Sequence, residues 1–586
     1  MKMNSANDLL FFCAEAKIGD SGQLHRLGSF GQFAALPKQG CPCHRPAMPI
    51  DRHQRPENGA GGFPFLVLFL KKYTAVLLRT CKVNLRGPKA NFYGNLVGSP
   101  NWRIEKMRRF SAFSLLLCAS TVLAATAQAQ VSLSPGDRIC YIGNSLADRM
   151  QHHGWLETYI QAALPRHQLV FRNLGFSGDQ IHHRPRAHKA FGDAHHHLSH
   201  CKATVIYAFF GYNESFDNKP GDFKSKVESW IDDTKGRNYS GKGAPKIVLF
   251  SPIAHEDLKS PNLPDGSANN KRLAAYTQAM AAAAKAKGVG FVDLFTPSMA
   301  LYRRAKTPLT INGIHLTEDG NRQIAEVIVR SLGVAKSAGT ASKLQKLREV
   351  VLDKNLHWFN RYRATDGNDV WGGRSKLHGN KATLMREMEI FDVMTNNRDK
   401  AVWAAASGRS YRVDDSNTPP PDKVKSNYKP SQKTGSAKFL GGQEAIGKME
   451  LAKGFKANLF ASEEMFKGMI NPVQLGVDRK GRLWAAVWPT YPKWEPKKPM
   501  GDALVILPDD NGDGKADKMI VFAKVQNPTG FEFWGKGVIV VSAPDILYLE
   551  DTDGDDVADV RIRIFGGIDS ADTHHTANYL TLGPDG

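Results

Sequence analysis

Five short apolar runs constrain the fold of this chain most: RICYIG from Arg138, HQLVFRNLG from His167, ATVIYAFFG from Ala203, KIVLFSPI from Lys246 and VGFVDLF from Val289. Each is continuously apolar rather than alternating, the pattern of strands buried on both faces of a parallel sheet. Helical patterns lie between them, among them GWLETYIQAAL and the alanine-rich ANNKRLAAYTQAMAAAAKAKG. This βαβ rhythm predicts a doubly wound, flavodoxin-like α/β sandwich over residues 131–335. In such a sheet the functional loops lie at the carboxyl ends of the strands.

The pattern changes twice downstream. Residues 336–412 hold two amphipathic stretches, ASKLQKLREVVLDKNLHWFNRYRA and NKATLMREMEIFDVMTNNRDKAVWAAASG, predicted to pack as helices on the first domain. A linker rich in Pro, Ser and Lys is expected over 413–445. From 446 to 586 the chain reads as all-β: VQLGVDRKGRLWAAVW carries an Asp-x-x-Gly turn between strands, and two later stretches repeat the theme. Acidic loops begin at Asp509 and Asp551, 42 residues apart, a spacing that suits one propeller blade per repeat. Roughly two blades are expected where closed propellers need about four to eight, so the segment reads as an incomplete propeller.

Of the formal charge of +21, +11 falls in residues 1–130, and the rest is spread thinly over the remaining 456 residues. No dense basic block sits beside aromatic residues, so nucleic acid is not an expected partner. Met107 opens MRRFSAFSLLLCASTVLAATAQAQ, with a positive start, an apolar run and Ala127-Gln128-Ala129 as cleavage site. We read 107–129 as a signal peptide, 1–106 as a misassigned upstream extension, and the mature chain as secreted or periplasmic. The apolar run is short for a membrane span, so none is expected after cleavage. Only Cys140 and Cys201 survive that cleavage; their apolar surroundings favour buried thiols, with one bridge left open.

Four segments fall where the sheet presents its loops: IGNS at Ile142–Ser145, NLGFSGD at Asn173–Asp179, FGYNE at Phe210–Glu214 and NGIHLTEDG at Asn312–Gly320. A serine needs a base to attack near neutral pH, and His315 can serve Ser145. The oxyanion needs preorganised donors, which the amides of Ser145 and Gly178 and the side chain of Asn213 would supply. The set resembles the SGNH/GDSL hydrolase family over about residues 136–335. That resemblance implies an acyl-serine esterase with Ser145 as nucleophile, His315 as base, and an ester substrate such as an acetylated carbohydrate. Two positions depart from the family pattern: Asn144 replaces the usual aspartate before the serine, and Asn312 replaces the aspartate three residues before the histidine. Asparagine cannot stabilise an imidazolium with a negative charge. The residues therefore admit a slow esterase, a dyad helped by Glu318 or Asp319, or a binding domain that has lost turnover.

The histidines of IHHRPRAHKAFGDAHHHLSH lack a fixed carboxylate or cysteine partner at ligand spacing, and are read as a solvated loop near the site's rim. DDNGDGKAD offers oxygen ligands at Asp509, Asn511, Asp513 and Asp517, and DTDGDDVAD at Asp551, Asp553, Asp555 and Asp559. They read either as weak structural calcium sites or as acidic hairpin turns. GVDRKGRLWAA, DTDGDDVAD and DTHHTANYLTLGPDG resemble the start of quinoprotein glucose/sorbosone dehydrogenase propellers. This second resemblance implies a redox histidine, His574 or His575, beside pyrroloquinoline quinone if the propeller were complete, and a haem-bearing redox partner. The alternative function is accordingly a redox or carbohydrate-binding protein with a weak or inactive hydrolase-like domain.

Overall fold

The computed structural model describes residues 131–184, 191–335, 339–363, 367–376, 379–423, 440–573 and 575–583. The expected upstream extension and signal peptide, residues 424–439 of the expected linker and His574 lie outside the described residues.

The five apolar runs form strands β1 (Arg138–Gly143), β2 (Val170–Asn173), β3 (Val205–Phe209), β4 (Lys246–Phe250) and β5 (Gly290–Val292). They make one parallel sheet in the order β2-β1-β3-β4-β5. Successive side chains leave a strand on opposite faces. Cys140, Ile142, Ile206 and Ala208 therefore enter one core, and Ile139, Tyr141, Val205 and Tyr207 the other. Helices α1 (Ser145–His153), α2 (Trp155–Ala163) and α7 (Glu318–Ser331) close the second face, whereas α3 (Ala194–Cys201), α4 (Pro220–Lys235) and α5 (Ser267–Lys287) close the first. A further helix, α6 (Phe295–Arg304), follows β5. Covering both faces is what continuous apolar strands require.

The histidine-rich stretch departs from the expected loop over 194–201, which form α3; 181–184 lie outside any helix, and 185–190 lie outside the described residues. Asp193 caps α3 by accepting the His196 N–H at 2.8 Å, and Leu198 and Cys201 are buried on its inner face. Its imidazoles have separate partners: His195 meets Tyr239 at 2.7 Å and Asp233 at 2.9 Å, His197 the Phe191 carbonyl at 3.0 Å, and His200 both Asp392 and Arg361 at 3.0 Å. Cys140 and Cys201 are both free and buried.

The sequence after α7 builds α8 (Ala341–Arg363), α9 (Asn368–Trp371) and α10 (Asn380–Ala406). The two long helices cover the exposed edge at β2. Trp403 Nε1 donates to the Leu169 carbonyl at 2.8 Å, Lys354 Nζ to Phe171 at 3.3 Å, and Trp358 Nε1 to Asn173 at 2.7 Å. Outward carbonyls recur every second residue along a strand, so a helical layer satisfies them without continuing the sheet. Two buried ion pairs fasten the layer, Lys354–Glu157 and Arg172–Asp399, both at 2.6 Å. Within the expected linker, Asp415 is held at 3.0 Å by Arg398.

Beyond α11 (Gly442–Ile446) two antiparallel four-stranded meanders follow. The first comprises β6 (Pro472–Val477), β7 (Leu483–Val487), β8 (Ala503–Leu507) and β9 (Ile520–Lys524); the second comprises β10 (Gly530–Trp534), β11 (Gly537–Ser542), β12 (Asp545–Glu550) and β13 (Val560–Gly566). Trp484 and Phe522 of the first share a core with Phe531 and Leu547 of the second. Each acidic loop precedes the fourth strand of its sheet, so the sequence repeat is a structural repeat.

Candidate active site

β1 ends in Gly143, whose φ of +131° and close approach exclude a side chain: a Cβ there would lie 2.0 Å from the Phe209 carbonyl oxygen. The chain turns into α1 at once. Asn144, the substituted aspartate position, caps the helix by accepting the Leu146 N–H at 3.1 Å, and its own N–H donates to the Phe209 carbonyl at 3.1 Å. Ser145 is therefore the first residue of a helix at the carboxyl end of β1, an interior strand, where backbone N–H groups remain available to an anion.

The other loops are drawn to the same edge by hydrogen bonds. Phe176 N–H donates to the Gly143 carbonyl at 2.9 Å, which brings the loop of Gly178 (φ +89°) beside the β1 end. Buried Glu214 accepts the N–H of Ile181 at 2.9 Å and that of Gly211 at 2.8 Å, joining this loop to the turn that carries Asn213. Burial raises the Glu214 carboxyl above the usual range, against the pull of these backbone donors. Glu256 holds the fourth loop: it accepts the N–H of Leu309 at 3.0 Å and both the N–H and hydroxyl of Thr310 at 2.7 Å. Glu214 and Glu256 are positioning residues that motif spacing does not single out.

Asn312 is fixed in one orientation. Its Oδ1 accepts the N–H of His315 at 2.9 Å and of Ile314 at 3.3 Å, so its amide nitrogen faces His315 Nδ1 at 3.0 Å. An amide nitrogen only donates, so Nδ1 must accept and the ring proton resides on Nε2. A base acting through Nε2 needs the opposite tautomer. Among the described residues Ser145 and the His315 ring are not hydrogen-bonded to each other. Glu318 and Asp319 do not replace the missing carboxylate, since Glu318 pairs with Arg348 at 2.8 Å and Asp319 with Arg322 at 2.6 Å. Burial, with like-charge repulsion from Arg149, holds the His315 imidazole well below the ordinary histidine range, so it is neutral near pH 7.

Arg149 was not singled out by the motif reading, although it stands four residues after Ser145 on the same helix face. Its terminal nitrogens donate to the carbonyls of Arg563 at 2.8 Å and Ile564 at 3.0 Å, which docks β13 against α1. The preceding residue, Asp148, binds Arg363 and Ser177 at 2.6 and 2.8 Å.

The two acidic loops share one geometry. Asp509 accepts the N–H of Gly512 at 2.7 Å and Gly514 at 2.9 Å; Asp551 accepts those of Gly554 at 2.7 Å and Asp556 at 2.9 Å. Asp556 takes the left-handed conformation (φ +64°) that Gly514 takes at the equivalent position. Carboxylate oxygens of Asp551, Asp553 and Asp559 lie within 4.8 Å of one another, an all-oxygen donor set suited to calcium. In the first loop Asp517 instead accepts from the Asp510 N–H and the Asn511 amide, while Asp513 accepts the Lys515 N–H. Asp555 accepts the Val557 N–H. His575 is 84% exposed and lies beside Asp572 at 3.2 Å.

Residues 141–323 match the family model of the GDSL-like lipase/acylhydrolase family, and residues 442–586 match a domain of unknown function, DUF7133. Comparison with curated proteins finds no match. Among solved structures, a catalytic mutant of the acetylxylan esterase Axe2 from Geobacillus stearothermophilus is 15% identical, with a TM-score of 0.29, covering 36% of this chain and 100% of its own. The α/β hydrolase LAE5 from the Lake Arreo metagenome is 18% identical, with a TM-score of 0.27, covering 34% and 97%. The gut microbial diltiazem-metabolizing enzyme BT4096 is 13% identical, with a TM-score of 0.33, covering 48% and 90%. The parallel sheet and the match over 141–323 together make this segment a GDSL-like lipase/acylhydrolase domain.

Proposed function

We propose that the chain is an exported serine esterase of low intrinsic rate, with acetyl esters of carbohydrate as its substrate class. Ser145 Oγ attacks the ester carbonyl, and the oxyanion is received by the amides of Ser145 and Gly178 and the side chain of Asn213. His315 takes the serine proton and returns it to the leaving alcohol; water then releases the acyl group by the same route. The observation that carries this reading is Ser145 at the first position of α1, at the end of the interior strand β1 of a GDSL-like domain. The β meanders are the first blades of a propeller in this reading, and the Asp551 loop a structural calcium site.

A second reading, a domain that binds esters without turning them over, is favoured by the Asn312 amide facing Nδ1. Hydrolysis of p-nitrophenyl acetate by the full chain separates the two. Turnover that Ser145→Ala abolishes supports the esterase. Rates equal in the wild type and Ser145→Ala, with Asn312→Asp equally inactive, would refute it.

A further inference from the structure

α1, α8 and the second β meander enclose a cavity of about 680 Å³. It opens one helical turn beyond Ser145, since Arg149, His152 and His153 line it from the same face of α1. Buried Arg149 and half-buried Arg563 meet it from within, while the more exposed Arg561 and Lys524 stand at its rim. Two acidic groups also face it. Asp545 is bound to Arg563 at 2.8 Å, and Glu318 is paired with Arg348 at 2.8 Å. No carboxylate among the described residues pairs with Arg149, Arg561 or Lys524.

Arg149 is only 7% exposed, yet its Nε is buried without a hydrogen-bond partner among the described residues. Burial and the neighbouring Arg563 press its guanidinium down to about 10. The same two causes lower His152 and His153, which are therefore neutral near pH 7 and add no charge. Asp148 and Asp545 oppose the shift of Arg149 from beyond pairing distance; a buried cation without a directly paired carboxylate is costly, and an incoming anion relieves that cost. Leu352, Leu356 and Phe359 of α8 supply apolar wall beside the cations.

We propose that this cavity holds an acidic group of the substrate, a carboxylate or a sulfate on a ring whose apolar face lies against Leu356 and Phe359. The ester one turn away would then reach Ser145. The word substrate rests on the esterase reading; the binding does not.

Calorimetric titration of the full chain carrying Ser145→Ala reads binding without turnover, using glucuronate, glucose 6-sulfate and glucose. At least one acid binds and glucose does not, and Arg561→Gln with Lys524→Gln weakens the acid roughly tenfold. Glucuronate alone would indicate a uronate and the sulfate alone a sulfated sugar. Equal binding of glucose, no binding of either acid, or undiminished binding in the double variant overturns the proposal. Hydrolysis of neutral p-nitrophenyl acetate by the wild-type chain is read beside it. Acid binding without any hydrolysis leaves the cavity standing and removes the esterase reading; hydrolysis without acid binding does the reverse.

Discussion

At the scale of single residues, Asn312 bears through its orientation on the role proposed for Ser145. Its amide cannot simply turn over, because Oδ1 already accepts two backbone N–H groups. An aspartate has an oxygen for both tasks, one for the backbone and one for Nδ1–H. Asn312→Asp is therefore expected to raise kcat/KM on p-nitrophenyl acetate by about 10²- to 10⁴-fold, the upper value being the loss seen for the reverse change in another fold's serine-protease triad. An unchanged rate would show that the tautomer is not limiting. The depressed His315 predicts a pH profile. A base neutral well below the usual range keeps kcat/KM flat as pH falls through 6.5, with the acid limb lying lower. Stability follows the opposite course: as pH drops below 6.5 the unfolded chain protonates His315, His152 and His153, which the native state keeps neutral. The melting temperature is thus highest above that pH and declines towards acid, readable by calorimetry at fixed ionic strength.

At the scale of elements, the helical layer over β2 is structural. Lys354 is buried against Glu157, and removing one partner strands the other as an uncompensated charge. Lys354→Ala is expected to lower unfolding free energy by about 3–5 kcal/mol, measured as a shift in urea midpoint. Lys354→Met with Glu157→Leu should recover most of it; failure to recover would mean that the hydrogen bond to the Phe171 carbonyl matters more than the charges. The acidic loops are a second element-level device. Each starting aspartate caps three backbone N–H groups, which shapes the turn without any metal. Calcium at millimolar concentration is nonetheless expected to raise the melting temperature through Asp551, Asp553 and Asp559, and Asp553→Asn should remove the shift. No shift in the wild-type chain would leave these loops as hydrogen-bonded turns alone.

Across the whole molecule, β13 packs against α1 and the loop of Ser177 and Gly178. Gly567 (φ +89°) follows β13, and a Cβ there would touch Ser177 at 3.0 Å. Sequence periodicity was enough to read the five parallel strands, because strands buried on both faces must be apolar throughout. Motif order placed Ser145, Gly178, Asn213 and His315 on loops at one sheet edge, because a doubly wound topology sends every strand's carboxyl end the same way. The acidic repeat likewise announced two similar sheets, although β10, with its glycine and central glutamate, gave no clear strand signal. The histidine run misled because its composition resembles a loop, whereas Asp193 caps it and the core behind Leu198 and Cys201 selects the helix. Three features belonged to tertiary structure alone. The direction of the Asn312 amide depends on which backbone groups converge on its oxygen. Satisfaction of the β2 edge depends on residues some 180–235 positions later in the chain. The positive cavity depends on Arg149 meeting Arg563, which are 414 residues apart. Local patterns encode which residues are buried and where loops fall, since both follow from short-range periodicity. Hydrogen-bond direction and charge pairing are set by what the fold brings together across the chain.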